Sequence, residues 1–140
     1  VEKYDISPSN MNVEITETTL MSDLEKNMVI LGRLQRAGFK VEIDDFGSGY
    51  SSLNMLKDIN ADVLKIDMAF LRESENEGKG REILETIITL AGKIGMEVIT
   101  EGVETVDQLK MLSEMGCNNF QGYYFSKPIP TEEFEKKYFV

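Results

Sequence analysis

Short β-branched segments alternate with longer helical patterns along the whole chain, and this alternation constrains the fold more than any other feature. Strands are expected at 11–16, 40–44, 63–67, 96–100 and 120–124. The stretches between them carry apolar residues at helical spacing or are rich in Gly and Ser. Strands that alternate with helices form parallel sheets through right-handed crossovers, so the chain is predicted to be α/β. The pattern leaves two architectures open: a doubly wound open sheet, or part of a TIM-like (β/α) barrel.

Local signals predict where two of the helices begin. Ser22 with Glu25, and Thr105 with Gln108, have the spacing of capping boxes. The residues expected on the buried helix faces are Leu24, Met28, Leu31, Leu34, Ile83, Ile87, Leu90, Ala91, Ile94, Val106, Leu109, Leu112 and Met115.

Composition excludes several kinds of site. The 140 residues contain no histidine and a single cysteine, Cys117, which excludes His-based triads, an internal disulfide and zinc sites of the usual type. Any metal ion must therefore have oxygen ligands, which favours Mg²⁺ or Mn²⁺. Cys117 is interpreted as a small buried residue, and its solitary presence is typical of a reducing cytoplasm.

The charge and length restrict partners and context. A net charge of −10 argues against a nucleic acid polymer as partner, but metal ions can let an acidic pocket bind a small phosphorylated ligand. No apolar run reaches the ~18 residues of a membrane span, so no direct membrane contact is expected of this segment. The chain starts with Val1, not Met, and is shorter than the ~250 residues of a whole barrel, so we interpret it as part of a longer protein that could itself be membrane-anchored.

Acidic residues follow or end several predicted strands. Glu14, Asp44, Asp45 and Glu101 come from three strands, and sites in parallel α/β folds are built where strands end. Their four negative charges neutralise two divalent cations. The adjacent pair Asp44 and Asp45 suits a two-metal site, because one carboxylate can bridge both ions.

Lys65 lies inside a predicted strand. Alternation places it on the side opposite Leu64 and Ile66, so it is expected to point into a barrel lumen or the other face of the sheet. A buried ammonium is costly unless it is paired, so carboxylates should converge on it. Two interpretations remain open: a structural ion pair with Asp67 or a neighbour, or a cation that orients water or steadies a reacting phosphate.

Five motifs in order carry a resemblance to a known family. They are Glu14-Ile15-Thr16-Glu17, Asp44-Asp45-Phe46-Gly47-Ser48-Gly49-Tyr50-Ser51-Ser52, Val63-Leu64-Lys65-Ile66-Asp67, Thr100-Glu101-Gly102-Val103-Glu104 and Phe120-Gln121-Gly122-Tyr123. Together they closely resemble the second half of the EAL domain, the cyclic di-GMP phosphodiesterase family. The resemblance implies a metal-dependent barrel that opens cyclic di-GMP to linear pGpG.

The resemblance also implies roles for individual residues. Those implied as metal ligands are Glu14, Asp44, Asp45 at the second metal, and Glu101, which binds metal directly or through water. Lys65 matches a lysine near the nucleophilic water, so the implied catalytic residues are Lys65, Glu101 and Asp45. Gln121 matches a residue near the substrate. Glu17 and Glu104 are implied supports for the metal site and the loop after Asp45, or else solvated acids at helix starts.

The Glu-Ala-Leu motif and the asparagine strand after it, which supply further ligands in the family, are absent from the sequence. We therefore expect residues 1–140 to be a partial EAL domain from a cytoplasmic phosphodiesterase, inactive alone and homodimeric. Sensory or diguanylate cyclase domains are expected partners within the full protein. The alternatives are a non-catalytic cyclic di-GMP receptor and a purely structural or dimerisation module.

Overall fold

The computed structural model describes residues 1–47, 53–66 and 78–139. Its strands are β1 (Asn12–Thr16), β2 (Lys40–Phe46), β3 (Val63–Ile66), β4 (Glu97–Thr100) and β5 (Asn119–Phe120). Its helices are α1 (Glu17–Ser22), α2 (Leu24–Arg36), α3 (Leu53–Asp58), α4 (Gly78–Lys93), α5 (Val106–Glu114) and α6 (Thr131–Tyr138). Two 3-10 turns, Glu2–Tyr4 and Pro8–Asn10, precede β1.

The order of the strands decides between the two predicted architectures. All five strands are parallel, and each pairs with its neighbours in sequence, in the order β1-β2-β3-β4-β5. In a doubly wound sheet the order reverses at a switch point, whereas the described strands run consecutively. Consecutive parallel strands alternating with helices are the pattern of a (β/α) barrel. The predicted fold class is confirmed.

The two faces of the sheet differ in chemistry. On the outer face, Val41, Ile43, Leu64 and Ile66 join a buried apolar cluster with residues of the helices, among them Leu31, Leu84, Ile88 and Leu112. On the inner face lie polar side chains, which include Glu14, Glu42 and Lys65. A doubly wound sheet would bury apolar residues on both faces. The polar inner face is therefore that of a barrel lumen, and it holds the site.

Helix starts agree with the sequence prediction at one of two positions. Thr105 Oγ1 accepts a hydrogen bond from Gln108 N–H, and the Gln108 side chain accepts from Thr105 N–H, so this capping box is confirmed. The prediction at Ser22 is wrong by one residue. Asp23 is the N-cap of α2 and accepts from Lys26 N–H, while Ser22 ends α1. The preceding helix α1 was not predicted, although Thr16 is its N-cap and accepts a hydrogen bond from Thr19 N–H, and Glu17 lies in its first turn.

The predicted buried faces of α4 and α5 need correction at three positions. Ile83, Ile94 and Val106 are exposed, at 51%, 46% and 44%. The buried stripe of α4 consists of Leu84, Ile87, Ile88 and Ala91, which keep the i, i+3, i+4, i+7 spacing. Ile87 and Ala91 are buried as predicted, and Leu84 and Ile88 take the places expected for Ile83 and Ile94.

The last strand is shorter than predicted. β5 comprises Asn119 and Phe120 only, and residues 121–124 form a turn whose backbone contacts the loop after β4. Cys117 is buried at 1% exposure, as predicted. Asp67 and residues 48–52 of the Gly- and Ser-rich motif lie outside the described residues. Within the described part of the chain, no helix combines the length and apolar character needed to cross a membrane.

Candidate metal centre

The buried Lys65 side chain is the centre of a cluster of charges. Its Nζ atom lies 2.9 Å from Glu101 Oε1, 3.0 Å from Asp44 Oδ1 and 3.2 Å from Glu14 Oε1, and its side chain is only 7% exposed. The three carboxylates come from β1, β2 and the end of β4, on both sides of β3. The expected convergence of carboxylates on Lys65 is confirmed, and its described partners are these three acids.

The carboxylates keep Lys65 charged. Burial lowers the pKa of the Lys65 ammonium, but interactions with Glu101, Asp44 and Glu14 outweigh that effect and raise the pKa above its usual value. The cluster still carries more negative than positive charge, because three carboxylates surround one ammonium. It therefore attracts a further cation.

An irregularity in β2 places two neighbouring aspartates at the site. Glu42 and Ile43 pair with Val63 and Leu64, but Phe46 pairs with Ile66, so Asp44 and Asp45 together face a single residue of β3. Asp45 has a φ of 57°, in the left-handed region. In a regular strand, adjacent side chains point to opposite faces. A bulge of this kind re-aims one of them, so both carboxylates can serve one site.

The site fits a divalent cation with oxygen ligands. One carboxylate oxygen from each of Asp44, Asp45 and Glu101 can be chosen so that all lie within 4.8 Å of one another. Asp44 Oδ1 is buried and receives no well-aligned hydrogen bond from the described residues, although Lys65 lies 3.0 Å away. The single contact with Lys65 does not use both lone pairs of this oxygen, so the atom can also bind a metal ion. Hard oxygen donors suit Mg²⁺, Mn²⁺ or Ca²⁺.

Glu17 holds the loop that follows β2. The Glu17 carboxylate is almost fully buried at the start of α1, and its Oε2 atom accepts a hydrogen bond from Gly47 N–H at 3.0 Å. Gly47 has a φ of 97°, a conformation that glycine adopts without strain. Glu17 is therefore not a solvated acid at a helix start. It links α1 to the residue two positions after Asp45.

A cleft of about 590 Å³ opens beside Glu101. Glu104 and Gln121 line it, together with residues of the 122–129 segment and of α6. The volume lies in the range of pockets that bind small ligands, ~300–1,000 Å³. Gln121 thus lines the same cleft as Glu101, and Glu104 is exposed at the cleft rim.

Glu42 is a site residue that the sequence analysis missed. It is 3% exposed, lies beside Glu14 in the β1–β2 register, and accepts a hydrogen bond from Asn12 Nδ2. Burial raises the pKa of Glu42, against the lowering effect of Asn12. The signal was present in the alternation, since Glu42 and Asp44 are two residues apart and share a strand face.

Comparison with known proteins identifies the family. The EAL domain model matches residues 1–128. The bifunctional diguanylate cyclase/cyclic di-GMP phosphodiesterase MucR of Pseudomonas aeruginosa is 38% identical over 94% of the chain. The cyclic di-GMP phosphodiesterase NbdA of the same organism is 38% identical over 99% of it. The chain spans 19% and 18% of the lengths of these two relatives.

Solved structures share the fold. The MucR phosphodiesterase in complex with cyclic di-GMP superposes with a TM-score of 0.87 at 38% identity, covering 95% of this chain and 54% of that one. The manganese and cyclic di-GMP complex of BlrP1 from Klebsiella pneumoniae gives a TM-score of 0.85 at 32% identity, covering 91% and 32%. A calcium complex of BlrP1 with the same ligand gives the same values. The chain belongs to the EAL domain family.

Proposed function

We propose that this chain is part of a metal-dependent phosphodiesterase that hydrolyses cyclic di-GMP to linear pGpG. The observation that carries the proposal is the buried Lys65 held by three carboxylates next to the Asp44–Asp45 pair. The relatives MucR and NbdA are cyclic di-GMP phosphodiesterases, which supports the same substrate here.

The proposed ligands of two Mg²⁺ or Mn²⁺ ions are Glu14, Asp44, Asp45 and Glu101. Structures of BlrP1 contain manganese or calcium together with cyclic di-GMP, which supports an oxygen-ligated metal at the equivalent place. Bound divalent ions supply Lewis-acid activation of water and of the phosphodiester. Glu17 is proposed to support the loop beyond Asp45, and Glu104 to support the metal site from the cleft rim.

The reaction consumes one water molecule. Its oxygen bonds to one phosphorus, the bond from that phosphorus to the 3′ oxygen breaks, and the 3′ oxygen takes up a proton. Lys65 is proposed to orient the attacking water through the positive charge of its ammonium group. Gln121 lines the cleft beside Glu101 and is proposed to contact the substrate.

The metal requirement tests the proposal. After chelation of the full-length protein, Mg²⁺ or Mn²⁺ should restore hydrolysis of cyclic di-GMP, and Ca²⁺ should inhibit it. Calcium accepts longer distances and more ligands, so it holds water and phosphate less accurately. Full activity with chelator present, or with Ca²⁺ alone, would refute the metal assignment.

A non-catalytic cyclic di-GMP receptor is the second candidate, since the cleft beside Glu101 is compatible with binding alone. The Asp45→Asn variant of the full-length protein separates the two. An enzyme should lose turnover and keep measurable cyclic di-GMP binding, because the change removes charge at one metal only. A receptor would show no turnover even in the wild type.

We also propose that residues 1–140 alone do not hydrolyse cyclic di-GMP. The Glu-Ala-Leu motif does not occur in them, and they cover 54% of the MucR phosphodiesterase chain. The full protein is proposed to be a cytoplasmic homodimer with further signalling domains, as the bifunctional name of MucR suggests for that relative. Hydrolysis by the isolated chain would contradict this assignment.

A further inference from the structure

The loops that carry Glu101 and Gln121 are joined through their backbones. Gln121 N–H donates to Thr100 O at 2.9 Å, and Val103 N–H donates to Gln121 O at 3.1 Å. Tyr124 N–H then donates to Val103 O at 2.9 Å. These three hydrogen bonds extend the pairing of β4 with β5 beyond the last residue of β5. The two loops therefore behave as one backbone unit.

Gly122 lies at the closest approach between these loops. A β-carbon at Gly122 would lie 2.1 Å from Val103 O, 2.4 Å from Val103 N and 2.7 Å from Val103 C. All three atoms are backbone, so no side-chain rotation can relieve the contact. The φ of Gly122 is not in the left-handed region, which is occupied by other glycines such as Gly102. Space, not backbone conformation, requires glycine here.

We propose that Gly122 is a positioning residue of the metal centre. Its missing side chain lets residues 121–124 fasten onto Val103, and this contact fixes Glu101 relative to Lys65 and Asp44. The inference rests on the proposed function to the extent that Glu101 is a metal ligand. It assigns Gly122 no contact of its own with metal or substrate.

The consequence of adding a side chain follows from the distances. Ordinary van der Waals contact begins at 3.4 Å, so residue 122 and Val103 O would have to separate by more than 1 Å. Glu101 is two residues before Val103, and its Oε1 atom lies 2.9 Å from Lys65 Nζ. A shift of about 1 Å in a positioned group costs up to ~100-fold in function.

The test compares Gly122→Ala with Gly92→Ala in the full-length protein, using Mn²⁺ affinity as the readout. Gly92 lies in α4 with nothing within 4 Å of an added β-carbon, so it is the matched control. We expect Gly122→Ala to weaken Mn²⁺ binding about tenfold or more and Gly92→Ala to leave it unchanged. Equal Mn²⁺ affinity of folded Gly122→Ala and wild type would overturn the proposal.

A third variant separates positioning from general stability. Ile88→Val removes one methylene group from the core cluster, away from the metal centre. It should lower the Tm and leave Mn²⁺ affinity unchanged. If Ile88→Val weakened Mn²⁺ binding as much as Gly122→Ala, the effect would be one of stability and the positioning role would be wrong.

Hydrogen exchange of the wild type tests the inference even if Gly122→Ala does not fold. Mn²⁺ should slow exchange of both the Val103 and the Tyr124 amides, because both close the contact that holds Glu101. Unchanged exchange at Tyr124 with saturating Mn²⁺ would contradict it. If the wild type bound Mn²⁺ but did not hydrolyse cyclic di-GMP, the phosphodiesterase proposal would be refuted. The ratio of the Mn²⁺ affinities of Gly122→Ala and wild type would still decide the role of Gly122.

Discussion

The ammonium group of Lys65 has three hydrogen-bond donors, and three carboxylates lie within 3.2 Å of it. Of these acids, Asp44 and Glu101 also belong to the group of oxygens that can hold a metal ion. Lys65 and the proposed metal ion would therefore share ligands. A bound ion would draw on the same negative charge that balances Lys65, and Lys65 limits the repulsion between the acids.

Replacing Lys65 should expose this dual role. We expect Lys65→Met to lower the free energy of unfolding without metal by about 3 kcal/mol, because removing one partner of a buried ion pair leaves the others uncompensated. Mn²⁺ should raise the Tm of this variant more than that of the wild type, since the ion replaces the missing positive charge. Turnover should fall more than tenfold, which corresponds to ~1.4 kcal/mol.

Lys40→Met is the matched control. Lys40 lies on β2 and pairs with Glu97 at 3.7 Å, but both side chains are about half exposed or more. Exposed pairs contribute ~0–1 kcal/mol, so this variant should lose little stability. Equal losses in thermal unfolding for the two variants would show that burial does not distinguish these lysines.

The backbone of Asp45 leads to a second prediction. Its φ of 57° costs a residue with a β-carbon about 1–2 kcal/mol, and glycine avoids this cost. Asp45→Gly and Asp45→Ala both remove the carboxylate, so both should lose metal binding. In chemical denaturation the Gly variant should nevertheless be about 1 kcal/mol more stable than the Ala variant, the reverse of the order in a regular strand. If the Ala variant were more stable than the Gly variant, the bulged conformation at Asp45 would be contradicted.

At the residue scale, the sequence predicted that carboxylates surround Lys65, but it did not predict the backbone geometry that brings them together. Alternation and the cost of burying a charge were enough to expect carboxylates around Lys65. The bulge at Asp44 and Asp45 has no signal in hydrophobic periodicity, because it depends on how β2 pairs with β3. Glu42 was missed because a glutamate between Val41 and Ile43 resembles the exposed position of an alternating strand.

Among the elements, α1 and β2 depend on each other through Glu17. We expect Glu17→Ala to leave Gly47 N–H without its acceptor, which costs about 1–3 kcal/mol for a buried group, and to speed hydrogen exchange at Gly47. Glu17→Gln keeps a side-chain oxygen that can accept, so it should retain most of the protection. If Gln and Ala had the same effect, the negative charge and not the hydrogen bond would be what matters.

Element positions were more predictable than element ends. Strand propensity located all five strands, yet 120–124 was predicted as strand where only Asn119–Phe120 is. The aromatic residues there favour a strand, but the backbone of 121–124 bonds to Val103 and turns away. Such tertiary contacts override local preference. The start of α2 shifted by one residue because Asp23 is as good a cap as Ser22.

At the scale of the whole molecule, β1 and β5 are the edges of the described sheet. An unpaired strand edge readily pairs with another chain. We therefore expect residues 1–140, prepared alone, to self-associate or to bind the rest of the barrel. Light scattering across a concentration series measures this. A compact, cooperatively folding monomer at micromolar concentration would contradict the prediction.

The alternation of strands and helices narrowed the architecture only to two choices, and the resemblance to the EAL family then indicated the barrel. Alternating strands and helices imply parallel pairing, but they do not reveal the spatial order of the strands. The structure shows that order: β2 pairs with both β1 and β3, and Glu14, Glu42 and Lys65 all lie on one face of the sheet.

The same consecutive order affects how the chain can fold as it is synthesised. Each strand forms its backbone pairing with the strand made just before it, so no strand must wait for a distant part of the chain. Contacts between segments close in sequence form faster than contacts between distant ones. On the ribosome, every new strand and helix can add to an edge that already exists. The contact between 121–124 and Val103 can form only after Tyr124 has been made, so the loop that follows Glu101 is completed later than the hydrogen bond from Glu101 N–H to Ile66 O on β3.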